Sequence, residues 1–395
     1  MPKQVWRTLR NVLMAMGGML AALILLEIGA RFLPPPYEDT GNVADVCSNQ
    51  VGWRGSPYFT TTVGTDDYYH NLQLNRVGMH DNEHQQSKPA NTFRILVLGD
   101  SFVRAHQVKE EETSHQVLES LLNSGDSSQH FETISAGVDA WGTGQELLYY
   151  RSEGRDYQPD LVVLMFYLGN DIVDNLPGRG LTLRGRNCYS PYFVLCGDQL
   201  DATPWFFAPG VSPPIGTCPF GKRVLSGFLG KIYQHSQLYG QLEPLLASRP
   251  PKVSALDYYT QENEFFDYAL QLTIALIKQL EEEVRKDGAE FAVVLISPPD
   301  LIDFTRMSSS EREAVYQTLP FMRRAEEMSP PNRFLAEALA GEGIEVLDLL
   351  PSFVEHIDRT GQEHSFQEDK HWNVVGNRLA AEAIYNWLTA NYEFQ

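Results

Sequence analysis

The chain has 395 residues, of which 43% are hydrophobic and 21% are charged, a composition typical of a globular protein. Its 51 acidic residues outnumber its 31 basic ones, so that the net charge is −20 at pH 7. A charge of this sign and size repels phosphate backbones, and the composition therefore argues against nucleic acid as a partner.

The N-terminus is basic and then apolar, a pattern typical of a segment that enters a membrane. Three basic side chains come first: Lys3, Arg7 and Arg10. The run 12–26 carries no charge, and its extension to residue 33 reaches the length of a membrane span before three prolines end the helix. We favour an uncleaved anchor for residues 1–36 over a cleaved signal peptide or a soluble amphipathic helix. In the first two cases the basic flank stays in the cytoplasm, so we expect the bulk of the chain in the periplasm or outside the cell, and secretion if the segment is cleaved.

Two further segments lack the regular patterning of the rest. Residues 37–90 are polar and aromatic, and we interpret them as an extracytoplasmic lead-in packed on the edge of a sheet. Residues 91–395 are predicted to form one domain with an insertion at about 175–256, rich in proline and aromatic residues. Long unpatterned insertions of this kind are usually lids or binding loops.

The chain has four cysteines: Cys47, Cys188, Cys196 and Cys218. None lies in a C-x-x-C motif, which argues against a zinc site. A bridge between Cys188 and Cys196 would close a small loop and stabilise the fold by about 2–3 kcal/mol. Unpaired thiols in a cytosolic protein are the alternative, and the sequence leaves the connectivity open.

Strands and helices alternate along the remaining chain. Continuous apolar runs, as in buried parallel strands, occupy residues 93–98, 131–134, 161–167, 291–296 and 345–349. Amphipathic helices are predicted after Thr113, ending at Gly125, and over 265–284, ending at Asp287-Gly288. The alternation predicts a three-layer α/β/α sandwich around a five-stranded parallel sheet, with ligands bound beyond the carboxyl ends of the strands.

Four polar motifs lie where such a sheet would bind ligands. "GDSF" at 99–102, "SAGVDAWG" at 135–142 and "GND" at 169–171 each follow a predicted strand, and "DKHWN" at 369–373 precedes the last helix. Each has an ordinary explanation alone, as a turn, a tight backbone segment or a helix cap. Together they supply a hydroxyl, a base, a carboxylate and hydrogen-bond donors, which are the groups that ester cleavage needs.

These four blocks, in this order and spanning roughly residues 93–388, resemble the consensus blocks of the SGNH, or GDSL-like, hydrolase superfamily. The resemblance implies a flavodoxin-like α/β/α fold with Ser101 as nucleophile, His371 as base and Asp369 as the carboxylate that orients it. It also implies an oxyanion hole made by the backbone N–H groups of Ser101 and Gly137 and the side-chain amide of Asn170.

Three functions fit these observations. The first is an esterase acting on carboxylic esters, either carbohydrate O-acetyl groups or small acyl and lipid esters. The second, implied by a similarity to exported SGNH-type O-acetyltransferases, is acetylation of a polysaccharide with a membrane partner as acetyl donor. The third is a non-catalytic glycan-binding module. No cofactor or metal is expected, because the sequence has neither an H-E-x-x-H motif nor a phosphate-binding glycine loop. Trp141 and Trp372 lie within two of the blocks and are candidate walls of the site.

Overall fold

The computed structural model describes residues 3–32, 44–125, 128–176, 180–183, 186–205, 238, 264–318 and 331–392. The strands are β1 (Asp45–Ser48), β2 (Gly52–Gly55), β3 (Thr60–Gly64), β4 (Tyr69–Gln73), β5 (Thr92–Gly99), β6 (His130–Gly137), β7 (Leu161–Tyr167), β8 (Gly180–Leu183), β9 (Arg186–Tyr189), β10 (Tyr192–Cys196), β11 (Gln199–Trp205), β12 (Glu290–Ile296) and β13 (Glu345–Asp348). The α-helices are α1 (Lys3–Ala30), α2 (Ser101–Arg104), α3 (Ser114–Leu122), α4 (Thr143–Ser152), α5 (Asp171–Asp174), α6 (Glu264–Lys286), α7 (Pro299–Arg306), α8 (Ser309–Thr318), α9 (Pro331–Gly341), α10 (Leu350–Thr360) and α11 (Val374–Asn391). Two 3₁₀ turns cover Glu110–Glu112 and Gly154–Tyr157.

A five-stranded sheet forms the centre of the molecule, in the order β6-β5-β7-β12-β13. Every neighbouring pair in it is parallel. Counted along the chain this is the order 2-1-3-4-5, which is that of flavodoxin-like doubly wound folds. The predicted three-layer sandwich with five parallel strands is therefore confirmed, and each predicted run lies on one of these strands.

The core lies on both faces of this sheet, which is why its strands read as continuous apolar runs. Leu96 and Leu98 of β5 pack on one face with α4 and α6, whereas Ile95 and Val97 pack on the other with α3, α10 and α11. Successive side chains of a strand point to opposite faces, so this one strand contributes to both cores.

The described part of the lead-in, residues 44–90, forms two antiparallel hairpins, β1-β2 and β3-β4. Arg104, at the end of α2, donates from Nη1 to both carboxylate oxygens of Asp45 at 2.8 and 3.0 Å. Trp53 donates from its indole Nε1 to the carbonyl of Asp139, which follows β6, at 2.8 Å. These contacts attach the lead-in to the segments that follow β5 and β6, at the carboxyl edge of the sheet.

A disulfide joins Cys47 on β1 to Cys188 on β9, with Cα atoms 5.2 Å apart. The candidate bridge between Cys188 and Cys196 is therefore wrong. The reason is that the β8-β9 hairpin packs against β1 and β2, which brings Cys188 to the lead-in. Cys196 is also disulfide-bonded. Cys218 and most of the insertion lie outside the described residues.

The N-terminal helix α1 is long and apolar enough to cross a membrane over Trp6–Ala30, with a mean hydropathy of 2.1 in its most apolar window. None of that window is buried against the rest of the chain, unlike a core helix of a soluble protein. Its length and exposure fit a membrane anchor and a signal sequence equally.

Candidate active site

The turn after β5 presents Ser101 at the carboxyl edge of the sheet, as the first residue of α2. Asp100 caps this short helix, because its Oδ1 accepts a hydrogen bond from the backbone N–H of Phe102 at 2.9 Å. Gly99 lets the chain fold back tightly, since a Cβ atom there would lie 2.4 Å from Cγ2 of Val103. The "GDS" sequence thus makes a tight strand-to-helix turn with the hydroxyl at its end.

His371 reaches this hydroxyl from the opposite end of the sequence. Its Nε2 lies 2.7 Å from Oγ of Ser101. The loop that carries it leads into α11, whose N-cap Asn373 accepts hydrogen bonds from the backbone N–H groups of Val375 and Gly376. The imidazole also packs against the ring of Phe102, with ring centres 4.9 Å apart. Capping and packing together fix the ring beside the serine.

Asp369 holds the other side of the imidazole, with its Oδ1 2.5 Å from Nδ1 of His371. A carboxylate only accepts, so the Nδ1–H donates and leaves Nε2 free to accept a proton from the serine. Gln107 donates from Nε2 to the same Oδ1 at 3.1 Å, and the hydroxyl of Tyr68 donates to Oδ2 at 3.4 Å. Sequence analysis missed both of these residues.

The charges around His371 favour its protonated form. Burial lowers the pKa of His371, but the hydrogen bond and charge of Asp369, with the charges of Asp100 and Asp139, outweigh burial and raise it overall. Burial raises the pKa of Asp369, yet its hydrogen bond to His371 and the imidazolium charge lower it below its ordinary value. The pair is therefore arranged to stabilise an imidazolium–carboxylate state.

Gly137 and Asn170 lie at the carboxyl ends of the two strands that flank β5. Gly137 ends β6 and Asn170 follows β7, and β5, which leads to Ser101, lies between those two strands. A Cβ atom on Gly137 would lie 2.2 Å from the backbone N of Arg104, so only glycine lets β6 pass this close to α2. The amide Nδ2 of Asn170 donates to Oδ2 of Asp174 at 2.6 Å, which fixes the orientation of the side chain.

The tryptophans proposed as walls are buried packing residues instead. Trp141 is 0% exposed and donates from Nε1 to the carbonyl of Trp53 at 2.9 Å. Trp372 is 3% exposed and packs against Phe102 and Phe353. They support the loops of the site from behind.

Three ionisable side chains, His106, Asp139 and Arg104, lie close together beside the triad. His106 lies with its ring centre 6.4 Å from that of His371, and its Nδ1 is 3.6 Å from Oδ2 of Asp139. Arg104 is 3.4 Å from the same Oδ2. Burial raises the pKa of Asp139, but these two neighbours hold it well below its usual range. Asp139 is thus a permanent negative charge beside the imidazole.

Among the described residues, no group of three or more His, Cys, Asp or Glu side chains is placed to hold a metal ion. The site consists of a hydroxyl, an imidazole, a carboxylate and candidate N–H donors at one sheet edge. A hydroxyl hydrogen-bonded to an imidazole that is itself held by a carboxylate is the arrangement of a nucleophile activated by a general base.

Comparisons with known proteins find similarity at the level of structure. No protein-family profile and no curated protein matches the chain. Among solved structures, it is similar to the acetyl xylan esterase AlAXEase, with 12% identity and a TM-score of 0.38 over 75% of this chain and all of that one. A lipase/acylhydrolase from Enterococcus faecalis has 13% identity and a TM-score of 0.35, over 77% of this chain and 98% of that one. A putative lipolytic protein of the G-D-S-L family from Desulfitobacterium hafniense has 10% identity and a TM-score of 0.34, over 74% and 98%.

Proposed function

We propose that this chain is a serine hydrolase of the SGNH superfamily that cleaves carboxylic esters. The observation that carries the proposal is the hydrogen-bonded chain from Ser101 Oγ to His371 Nε2, at 2.7 Å, and from His371 Nδ1 to Asp369 Oδ1, at 2.5 Å. Three residues separated by up to 270 positions meet in the order nucleophile, base and orienting carboxylate.

In the proposed reaction Ser101 Oγ attacks the ester carbonyl carbon while His371 Nε2 takes the hydroxyl proton. The tetrahedral intermediate collapses when the imidazolium returns this proton to the leaving alcohol, which gives an acyl-serine and the free alcohol. Water then attacks the acyl carbon, with His371 again as base, and releases the acid. Asp369 stabilises the imidazolium in both halves of the reaction.

The developing oxyanion would be bound by the backbone N–H groups of Ser101 and Gly137 and by the amide of Asn170. This assignment is supported by the strand order, because Gly137 ends and Asn170 follows the two strands that flank β5. One amide hydrogen of Asn170 is used by Asp174, and an amide has a second. Asp174 would then orient the second hydrogen, as preorganised donors require.

For the substrate we propose carbohydrate O-acetyl esters met outside the cytoplasm by an enzyme held at the membrane through α1. The ring of Tyr69, on the hairpin β3-β4, is 82% exposed and directly follows Tyr68, whose hydroxyl contacts Asp369. An exposed aromatic ring on the hairpin that contacts the candidate site is suited to stacking on a sugar ring. The apolar, unburied α1 supports the membrane location.

The test compares wild type, Ser101→Ala and the matched control Ser124→Ala on the surface at the end of α3. Wild type and Ser124→Ala should react with a fluorophosphonate probe and hydrolyse p-nitrophenyl acetate. Ser101→Ala should do neither, with kcat reduced on the order of 10⁴–10⁶. Probe labelling of Ser101→Ala equal to wild type would refute the assignment, and so would an unlabelled wild type.

The same material separates hydrolysis from transfer. Wild type is incubated with an acetyl donor, with and without an acceptor oligosaccharide, and the products are analysed by mass spectrometry. Release of acetate under both conditions is expected. Acetylated oligosaccharide as the main product would reassign the chain as an O-acetyltransferase.

A further inference from the structure

Glu146, in the first turn of α4, is an ionisable side chain for which the proposed mechanism has no use. It is 0% exposed, and neither of its carboxylate oxygens has a hydrogen-bond partner among the described residues. Even two half-buried glutamates have cationic partners, since Glu153 pairs with Arg54 and Glu283 with Arg151. An unpaired carboxylate in an apolar interior is strongly disfavoured, so its state requires an explanation.

Two more buried carboxyls, Asp100 and Asp171, each have one oxygen engaged and one left over. Asp100 Oδ1 accepts from the backbone N–H of Phe102 at 2.9 Å, and Asp171 Oδ2 accepts from that of Tyr167 at 2.7 Å. Asp100 Oδ2 and Asp171 Oδ1 are buried and have no donor among the described residues. Each aspartate therefore has one buried oxygen that could accept a hydrogen bond from a further donor.

The fold brings these carboxyls together with Glu146. The N-terminus of α4 meets the end of α5, where the backbone N–H of Gly144 donates to Oδ1 of Asn175 at 2.9 Å. Each carboxyl lies within electrostatic reach of the others and of Asp174. Two further charged groups, His371 and Asp139, interact electrostatically with Asp100.

We propose that Glu146 is a neutral carboxylic acid whose single O–H is available to the unpartnered oxygens of Asp100 and Asp171, one at a time, which makes it a positioning residue between the loops that carry Ser101 and Asn170. A protonated carboxyl supplies one O–H donor and removes one negative charge from the cluster, as when two carboxylates share a proton. The positioning role rests on the proposed function, whereas the protonation does not.

The electrostatics agree with this assignment. Burial, followed by the charges of Asp100 and Asp174, raises the pKa of Glu146 well above its ordinary value. Burial, followed by the charges of Asp100 and Glu146, does the same for the pKa of Asp171. No metal-holding group of side chains replaces the proton among the described residues.

The proton gives stability a defined pH dependence. Because the pKa of Glu146 is raised in the folded state, the protonated carboxyl contributes fully to stability below the unfolded-state pKa of about 4.3. This contribution is lost as the pH rises through the folded-state pKa. In Glu146→Gln the side chain keeps its shape and an N–H donor but is neutral at every pH. This variant should therefore lose part of the destabilisation that wild type suffers on going from about pH 5 to about pH 8.

The experiment uses the full chain as wild type, Glu146→Gln, Glu146→Leu and the exposed control Glu355→Gln. Infrared spectra at neutral pH should contain the C=O band of a protonated carboxyl in wild type and in Glu355→Gln, and this band should shrink in Glu146→Gln. The thermal midpoint should fall less with rising pH in Glu146→Gln than in wild type. An undiminished band, an unchanged pH dependence or a Glu146→Gln chain that does not fold would each overturn the proposal.

Two more arms separate the alternatives. A thermal midpoint raised by Mg²⁺ or Ca²⁺ in wild type but not in Glu146→Gln would overturn the proposal, because it would show carboxylates bound to a cation. Glu146→Leu, which has no donor, should lose at least about tenfold more kcat than Glu146→Gln at similar KM. Equal kcat values would overturn the positioning role. Fluorophosphonate labelling of the same samples distinguishes failure of the positioning role from failure of the proposed hydrolase function. In the second case wild type itself is not labelled.

Discussion

Replacement of Asp369 by Asn tests how the carboxylate works. Three donors converge on Oδ1 of Asp369, namely Nδ1 of His371 at 2.5 Å, the backbone N–H of His371 at 3.2 Å and Nε2 of Gln107 at 3.1 Å. The hydroxyl of Tyr68 near Oδ2 can accept a hydrogen bond as well as donate one. An asparagine is therefore expected to place its carbonyl oxygen at the Oδ1 position and its amide nitrogen towards Tyr68.

In that orientation the imidazole keeps its tautomer, and only the charge of the carboxylate is lost. Two unit charges about 4 Å apart at an effective dielectric constant of 20 interact by about 4 kcal/mol. Each 1.36 kcal/mol is worth about tenfold in rate, so the expected loss is at most about 10³ in kcat. A reversed amide would force the wrong tautomer and cost about 10⁴.

The assay is kcat and KM for p-nitrophenyl acetate at the pH of maximal activity. Asp67→Asn is the matched control, because Asp67 Oδ2 accepts from the backbone N–H of Glu368 at 2.9 Å and an amide oxygen can do the same. It should stay within about threefold of wild type. A loss of 10⁴ or more in Asp369→Asn would refute the donor argument, and a loss below tenfold would refute the role of Asp369.

Three further results are expected. Asn170→Ala should lower kcat by about 10²–10³ with little change in KM, as measured by steady-state kinetics, and an effect confined to KM would contradict an oxyanion role. Asp139→Asn removes a charge that raises the pKa of His371, and because only neutral imidazole accepts the serine proton, the acid limb of the kcat/KM profile should move to lower pH. An unmoved limb would contradict this coupling. Replacing Cys47 and Cys188 by Ser removes a bridge between residues 141 positions apart. On the loop-entropy model this should lower the free energy of unfolding by about 5 kcal/mol. Guanidinium unfolding measures this, and equal stability of oxidised wild type and the variant would count against the bridge.

The strands and the polar motifs could be predicted because their signals are local. Five buried parallel strands require continuous apolar runs, and such runs are visible without knowledge of their neighbours. Polar residues that directly follow these runs must gather at the carboxyl edge of the sheet. The meeting of Ser101 and His371 has no such local signal, and only the resemblance of the four motifs to the SGNH consensus blocks predicts it.

The residues that sequence analysis missed act through contacts with no local signal. Tyr68 and Gln107 reach Asp369 from the lead-in and from the loop after α2, and neither lies in a pattern that differs from ordinary surface chain. The partner of Cys188 depended on where the β8-β9 hairpin packs. Glu146 reads as an exposed helical residue, because its burial is set by how α4 meets α5.

The lead-in contributes directly to the candidate site. Both carboxylate oxygens of Asp45 accept hydrogen bonds from the guanidinium of Arg104. Arg104 ends α2, the helix that begins at Ser101. Tyr68 contacts the carboxylate of Asp369 from the other hairpin. A chain shortened to start at the first central strand would keep every residue of the four motifs yet lose the contacts that support α2 and Asp369. The candidate site therefore begins before the SGNH-like motifs, and the hairpins between α1 and the sheet hold the groups that those motifs supply.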